Sequence, residues 1–133
     1  RGLALVRDGE ANINAALGCA QMELLPDMLR RKRSLAGRYQ QAFAGVDGVR
    51  FLSEPAGTSS NYWLNAIVLD EDLAVHRDDV LGALNDAGYG SRPVWTLMHK
   101  LPMYSGCPRM GLGVAEQMQA RLINLPSSAR LGV

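Results

Sequence analysis

The sequence predicts an α+β fold: a small, mostly antiparallel sheet with helices packed on one face. Two observations carry this expectation. Segments with helical and strand-like periodicity follow the order helix, strand, strand, helix, strand, loop, helix, strand, without strict βαβ alternation. The chain has 133 residues, 47% of them hydrophobic, which suits one domain with a core of its own.

The first helix is expected over Asn12 to Ala44. Ile13, Leu17, Ala20, Leu24, Met28, Leu35, Tyr39 and Phe43 recur at helical spacing. Asn12 suits the N-cap. Pro26 should kink this helix or start a second one, because proline removes an amide donor and crowds the preceding turn. Gly45 and Gly48 mark the end. Within the helix, Arg30-Arg31-Lys32-Arg33 spreads around the circumference and reads as a solvated face.

Val49 to Ser53 is expected as a short strand, and Glu54 to Ser60 as a loop. Asn61 to Leu69 carries the strongest strand signal; its near-continuous apolar run predicts burial on both faces. His76 to Ala87 reads as the second helix, with Asp78 and Asp79 at its positive end, His76 exposed at its cap and Gly88 as its stop. Tyr89 to Val94 is expected as a third strand. Val114 to Arg121 reads as a short helix. Leu122 to Leu125 reads as a last strand, ended by Pro126.

Composition narrows the function. A net charge of +1 lacks the basic excess of a nucleic-acid binder. No run of roughly 18 apolar residues occurs, so no transmembrane helix is expected. Arg1 to Arg7 is too short and too soon charged for a signal peptide. Of the two cysteines, Cys19 lies in an apolar helical pattern and reads as a buried thiol, while Cys107 lies in a Gly/Pro-rich turn. Neither a disulfide framework nor a metal signature results, and a reducing, cytoplasmic setting is expected.

No complete catalytic set stands out, and no catalytic, cofactor-binding or metal-ligating residue is assigned. Zinc-helix, paired-cysteine, P-loop and dinucleotide fingerprints are lacking. The span R-P-V-W-T-L-M-H-K-L-P-M-Y, Arg92 to Tyr104, is the best functional candidate. Arg92 can grip a carboxylate or phosphate in a bidentate way. His99 can hydrogen-bond a sugar hydroxyl or move a proton near neutral pH. Trp95 and Tyr104 can stack on a ring or simply pack under the loop. Lys100 reads as solvent-facing.

Four ordered blocks carry a resemblance. They are N-I-N-A-A-L-G-C-A-Q-M-E-L-L (Asn12–Leu25), S-N-Y-W-L-N-A-I-V-L (Ser60–Leu69), G-Y-G-S-R-P-V-W-T-L-M-H-K-L-P-M-Y (Gly88–Tyr104) and R-L-I-N-L-P-S-S (Arg121–Ser128). Together they resemble the C-terminal small domain of the DegT/DnrJ/EryC1/StrS sugar aminotransferases, in the branch that makes legionaminic-type amino sugars. The resemblance implies the small domain of an aspartate aminotransferase-like pyridoxal-phosphate enzyme. Such enzymes work as homodimers and pass an amino group to a keto sugar carried on a nucleotide. A lysine holds the cofactor as a Schiff base.

In the family that lysine lies in a large domain, N-terminal to the matched region. This chain has Lys32 and Lys100, and neither stretch resembles the Schiff-base motif. The family also carries Asn-Tyr-Arg just before the first block, where this chain has Arg7-Asp8-Gly9. Residues 1–11 therefore look unrelated, and residues 12–133 look like a small domain that stops short of a closing helix. The resemblance assigns Arg92, His99 and Tyr104 to the substrate side, with no cofactor expected on this chain alone. It implies a detached domain that does not transaminate by itself. The alternatives are part of an active enzyme with its large domain elsewhere, or a weak nucleotide-sugar binding module. A bared domain interface predicts a homo-oligomer.

Overall fold

The computed structural model describes residues 13–133. Asn12 as a cap, the segment 1–11 and the Arg7-Asp8-Gly9 departure lie outside the described residues. The expected α+β architecture is present. Helix α1 spans Ile13–Phe43, β1 Val49–Phe51, β2 Asn65–Leu69, α2 Arg77–Asp86, β3 Arg92–Pro93, α3 Gly113–Arg121 and β4 Leu122–Leu125. The four strands form one sheet in the order β1-β2-β4-β3, and every neighbouring pair is antiparallel.

Period-two alternation decides which side chains meet. Phe51 pairs with Ile67 and Ile67 with Ile123, while Asn65 pairs with Leu125. These residues share one face with Leu69. Ala36, Tyr39 and Phe43 of α1 and Val80, Leu81 and Leu84 of α2 pack against that face. The Tyr39 and Phe51 rings lie 6.1 Å apart, tilted by 32°. Ile67, Val68 and Leu69 are all buried, so β2 is covered on both faces as its apolar run predicts. Glycine is required at Gly48, where φ is +77° and a side chain would collide with Leu73.

Several expectations need correction. Pro26 neither divides α1 nor ends it; the 31-residue helix runs on, about 46 Å long. Pro26 and Met22 are exposed, so water can satisfy the carbonyl that the proline leaves without its amide partner. The strand predicted from Asn61 begins only at Asn65, and the one predicted over Tyr89–Val94 shrinks to Arg92–Pro93. A 3₁₀ turn over Glu71–His76, unforeseen, leads into α2. Cys19 is only half-buried. No described helix is long and apolar enough to cross a membrane.

The largest correction concerns the basic run. Arg30 and Arg31 do lie at the surface, paired with Asp27. Lys32 does not project into solvent. Its Nζ donates to the Ser127 carbonyl at 2.6 Å and to the Trp63 carbonyl at 3.3 Å. Desolvation by burial pulls its pKa below the ordinary lysine value. Arg33 forks onto the Glu54 carboxylate and donates to the Ser60 carbonyl at 2.6 Å. The run therefore fastens α1 to the loop before β2 and to the segment after β4.

Lys32→Met removes the donor and strands two carbonyls, so urea denaturation should show a loss of roughly 1–3 kcal/mol; unchanged stability would contradict the fastening role. Glu54 gives a pH-dependent counterpart. The Ser60 amide, and then Arg33, hold its carboxyl below the usual glutamate range. A depressed folded-state pKa stabilises above the unfolded value, about 4.3, and that stabilisation is lost as pH falls through the lower folded value. Glu54→Gln should flatten this acid limb in stability measured against pH.

Candidate functional site

The Arg92–Tyr104 span starts as an edge strand and then leaves regular structure. β3 pairs Arg92 with Asn124 and Pro93 with Ile123. Proline has no amide to donate, which suits an edge position. Beyond it come two single 3₁₀ turns, Met98–Lys100 and Pro102–Tyr104, with Pro102 opening the second. The loop expected here thus contains short 3₁₀ turns but no α-helix.

Helix α3 fixes this irregular backbone from outside. His99 Nε2 meets Glu116 Oε1 at 2.8 Å. The His99 side chain is 13% exposed and Glu116 47%. Held this way, a neutral imidazole carries its proton on Nε2 and presents Nδ1 as an acceptor. Gln119, one turn further along α3, donates from Nε2 to the Trp95 carbonyl at 3.1 Å and accepts from Lys100 Nζ at 2.9 Å. Lys100 is exposed, as expected, but not unpaired.

A cleft of about 340 Å³ opens beside this loop, lined among others by Leu97, His99, Tyr104, Cys107, Arg109 and Ala115. The structure thus brings His99 and Tyr104 into one site. Arg92 does not join them there; it sits exposed on the edge strand, outside the cleft lining. Two polar groups escaped the sequence reading, Arg109 in the cleft lining and Glu116 bonded to His99. Glu116 stands 17 residues from His99, with only its place in the first turn of α3 to suggest a role. Arg109, which donates to the Ser105 carbonyl at 3.1 Å, lay hidden in a glycine-rich stretch. An imidazole, a phenol and a guanidinium around an otherwise apolar cleft can orient a polar ligand bearing hydroxyls or phosphate.

The residues present do not fit a covalently held pyridoxal phosphate. The chain has two lysines. Lys32 Nζ is committed to two carbonyl oxygens, and Lys100 is bound to Gln119 at the surface. Neither amine stands free in the cleft to form a Schiff base with the coenzyme's aldehyde.

Cys107 is exposed and lines the cleft, whereas Cys19 is half-buried in α1. A maleimide should therefore label Cys107 first, with Cys107→Ser abolishing the fast phase. A ligand occupying the cleft should slow that phase; equal rates at both thiols would contradict the described accessibility.

Comparison with known proteins accords with this architecture. A model of the DegT/DnrJ/EryC1/StrS aminotransferase family matches residues 11–132. GDP-perosamine synthase of Vibrio cholerae is 35% identical over 117 residues, covering 87% of this chain and 32% of that protein. EpsN of Bacillus subtilis, a putative pyridoxal phosphate-dependent aminotransferase by name, is 32% identical over 127 residues, covering 91% and 32%. The aminotransferase TlmJ of Streptoalloteichus hindustanus superposes with a TM-score of 0.78 at 30% identity, over 88% of this chain and 31% of that one. PseC of Helicobacter pylori shares the fold, with a TM-score of 0.83 at 18% identity over 98% and 38%. The chain spans about a third of the length of the curated relatives it matches. By this match the chain belongs to the DegT/DnrJ/EryC1/StrS aminotransferase family.

Proposed function

We propose that the chain is the C-terminal small-domain portion of a pyridoxal-phosphate-dependent nucleotide-sugar aminotransferase and supplies the substrate-side wall of its active site. The observation that carries this reading is His99, held by Glu116, lining one cleft with Tyr104 and Arg109. It offers an oriented imidazole and a cation to a sugar nucleotide, but no amine to a coenzyme. The portion by itself does not transaminate. Cleft contacts through His99 and Tyr104 orient the nucleotide-linked keto sugar, and Arg92 acts from the neighbouring sheet edge.

The narrower reading is an enzyme of the branch serving legionaminic-type surface glycans, and it rests on the four sequence blocks. Among the relatives, the named synthases make GDP-perosamine, so the sugar nucleotide is proposed as a class. A cytoplasmic setting is part of the same proposal.

Surface composition supports a further partner for this portion. Ile13, Leu17, Met22 and Leu24 on the first half of α1 are more than half exposed. We read this helix as the contact with the remainder of the enzyme and, in the isolated portion, as a seed for self-association.

The test joins sequence with chemistry. The reading frame upstream of Arg1 should continue into a large domain with a Schiff-base lysine. The 133-residue portion, mixed with equimolar pyridoxal phosphate and reduced with borohydride, should show no stoichiometric pyridoxyl adduct by mass. A start codon beside Arg1, or a stoichiometric adduct on Lys32, would overturn the reading.

A further inference from the structure

We propose that Trp63 and Trp95 form an open stacking platform for the base of a nucleotide, next to the His99 loop but outside its cleft. The inference rests on the nucleotide-sugar reading above and deepens it. The two indoles come from distant parts of the chain, yet their ring centroids lie 6.1 Å apart with planes tilted by 31°. Both remain largely open, Trp63 at 68% and Trp95 at 66% exposure.

The backbone is shaped to hold the pair there. Tyr62 has φ of +44°, the one positive value at a non-glycine among the described residues. A bulky residue in this left-handed region costs on the order of 1–3 kcal/mol. Its consequence is that Tyr62 turns into the core at 9% exposure while its neighbour Trp63 turns outward. Trp63 is then pinned through both of its flanking peptide groups. Its amide donates to Asn61 Oδ1 at 2.9 Å, and its carbonyl accepts from Lys32 Nζ at 3.3 Å. The Trp95 carbonyl is pinned in turn by Gln119. Both indoles are therefore exposed side chains on fixed backbones, which lowers the entropy cost of stacking a ligand on them.

Geometry also says how a ring is received. Two stacking gaps of about 3.5 Å need about 7 Å between parallel planes. At 6.1 Å and 31° no ring fits between the indoles, so the base lies on an outer face. Base–aromatic stacking of this kind tolerates either a purine or a pyrimidine. Trp95 stands four residues before His99, so one short segment carries both the platform and the imidazole of the cleft. A sugar nucleotide has the matching design, with a flat base at one end and a hydroxylated ring at the other.

The chain contains two tryptophans, so its whole indole emission reports on this pair. Emission is excited at the red edge of the indole band, where nucleobases do not absorb, while UDP, GDP or ribose 5-phosphate is added. Both diphosphates should quench saturably at millimolar concentration and the base-free sugar phosphate should not. Trp95→Ala should weaken the UDP affinity at least about fivefold, the fold-change equivalent to the lower end of measured stacking losses. Trp63→Phe keeps an aromatic face and should bind within a few-fold of the parent; circular dichroism confirms that each variant folds.

Equal quenching by ribose 5-phosphate, retained UDP affinity in folded Trp95→Ala, or no quenching would overturn the platform. So would emission that shifts with protein concentration alone, which would make the pair a contact between copies. None of these outcomes touches the upstream lysine, so the family-level reading stands or falls separately.

Discussion

The Lys32 ammonium joins three stretches that the chain brings together only by folding. It sits in the second half of α1 and reaches the carbonyl of Trp63 just before β2 and that of Ser127 just after β4. Ser127 extends the junction, because its hydroxyl accepts from the Asn65 amide at 2.7 Å and donates to the Leu125 carbonyl at 2.8 Å. The Tyr39 hydroxyl donates to the Pro126 carbonyl at 3.0 Å, and Arg38 donates to the Leu131 carbonyl at 3.0 Å. The apolar core contributes non-directional attraction and the sheet sets register; these polar bonds fix where α1 lies along the sheet. The last turn seats against the same helix at Gly132, where any side chain would meet the Arg31 carbonyl.

What the sequence made legible follows from the range of each interaction. β2 and β4 were readable because runs of branched aliphatic residues, Ile67-Val68-Leu69 and Leu122-Ile123, declare a buried strand locally. The overextended strands failed for a local reason that spacing does not register. Ahead of β2, the Tyr62 amide is taken by Ser60 Oγ and the Trp63 amide by Asn61 Oδ1. Ahead of β3, Asn85 Oδ1 takes the Ser91 amide. Short polar side chains thus divert amides that a sheet ladder would use. The long-range bonds of Lys32 and Arg33 were not legible because their partners lie 21 to 95 residues away, beyond any local pattern.

The candidate site divides along the same line. His99 and Tyr104 stood out because imidazole and phenol in a proline-punctuated loop are informative by type. Glu116 and Arg109 did not, since an acid in a first helical turn and an arginine among glycines each have ordinary explanations. Arg92 was chosen for its guanidinium alone, and the edge strand carries it away from the cleft that its neighbours line. Residue type pointed to the loop; only the tertiary arrangement decides which side chains share a volume.

The dependence of this loop on α3 explains how an irregular segment keeps a defined shape. Glu116 and Gln119 are three residues apart, so they occupy one helical face. That face meets His99, Lys100 and the Trp95 backbone in turn. Arg77 at the start of α2 donates to the Gln119 carbonyl at 3.3 Å, tying α3 to the second helix. Directly after α3 the chain enters β4, the strand that pairs with both β2 and β3. The Arg92–Tyr104 loop is thus held at its start by the sheet edge and further along by a helix continuous with a central strand. One helical face therefore sets the position of both the imidazole and the Trp95 backbone, which ties the cleft to the exposed indole.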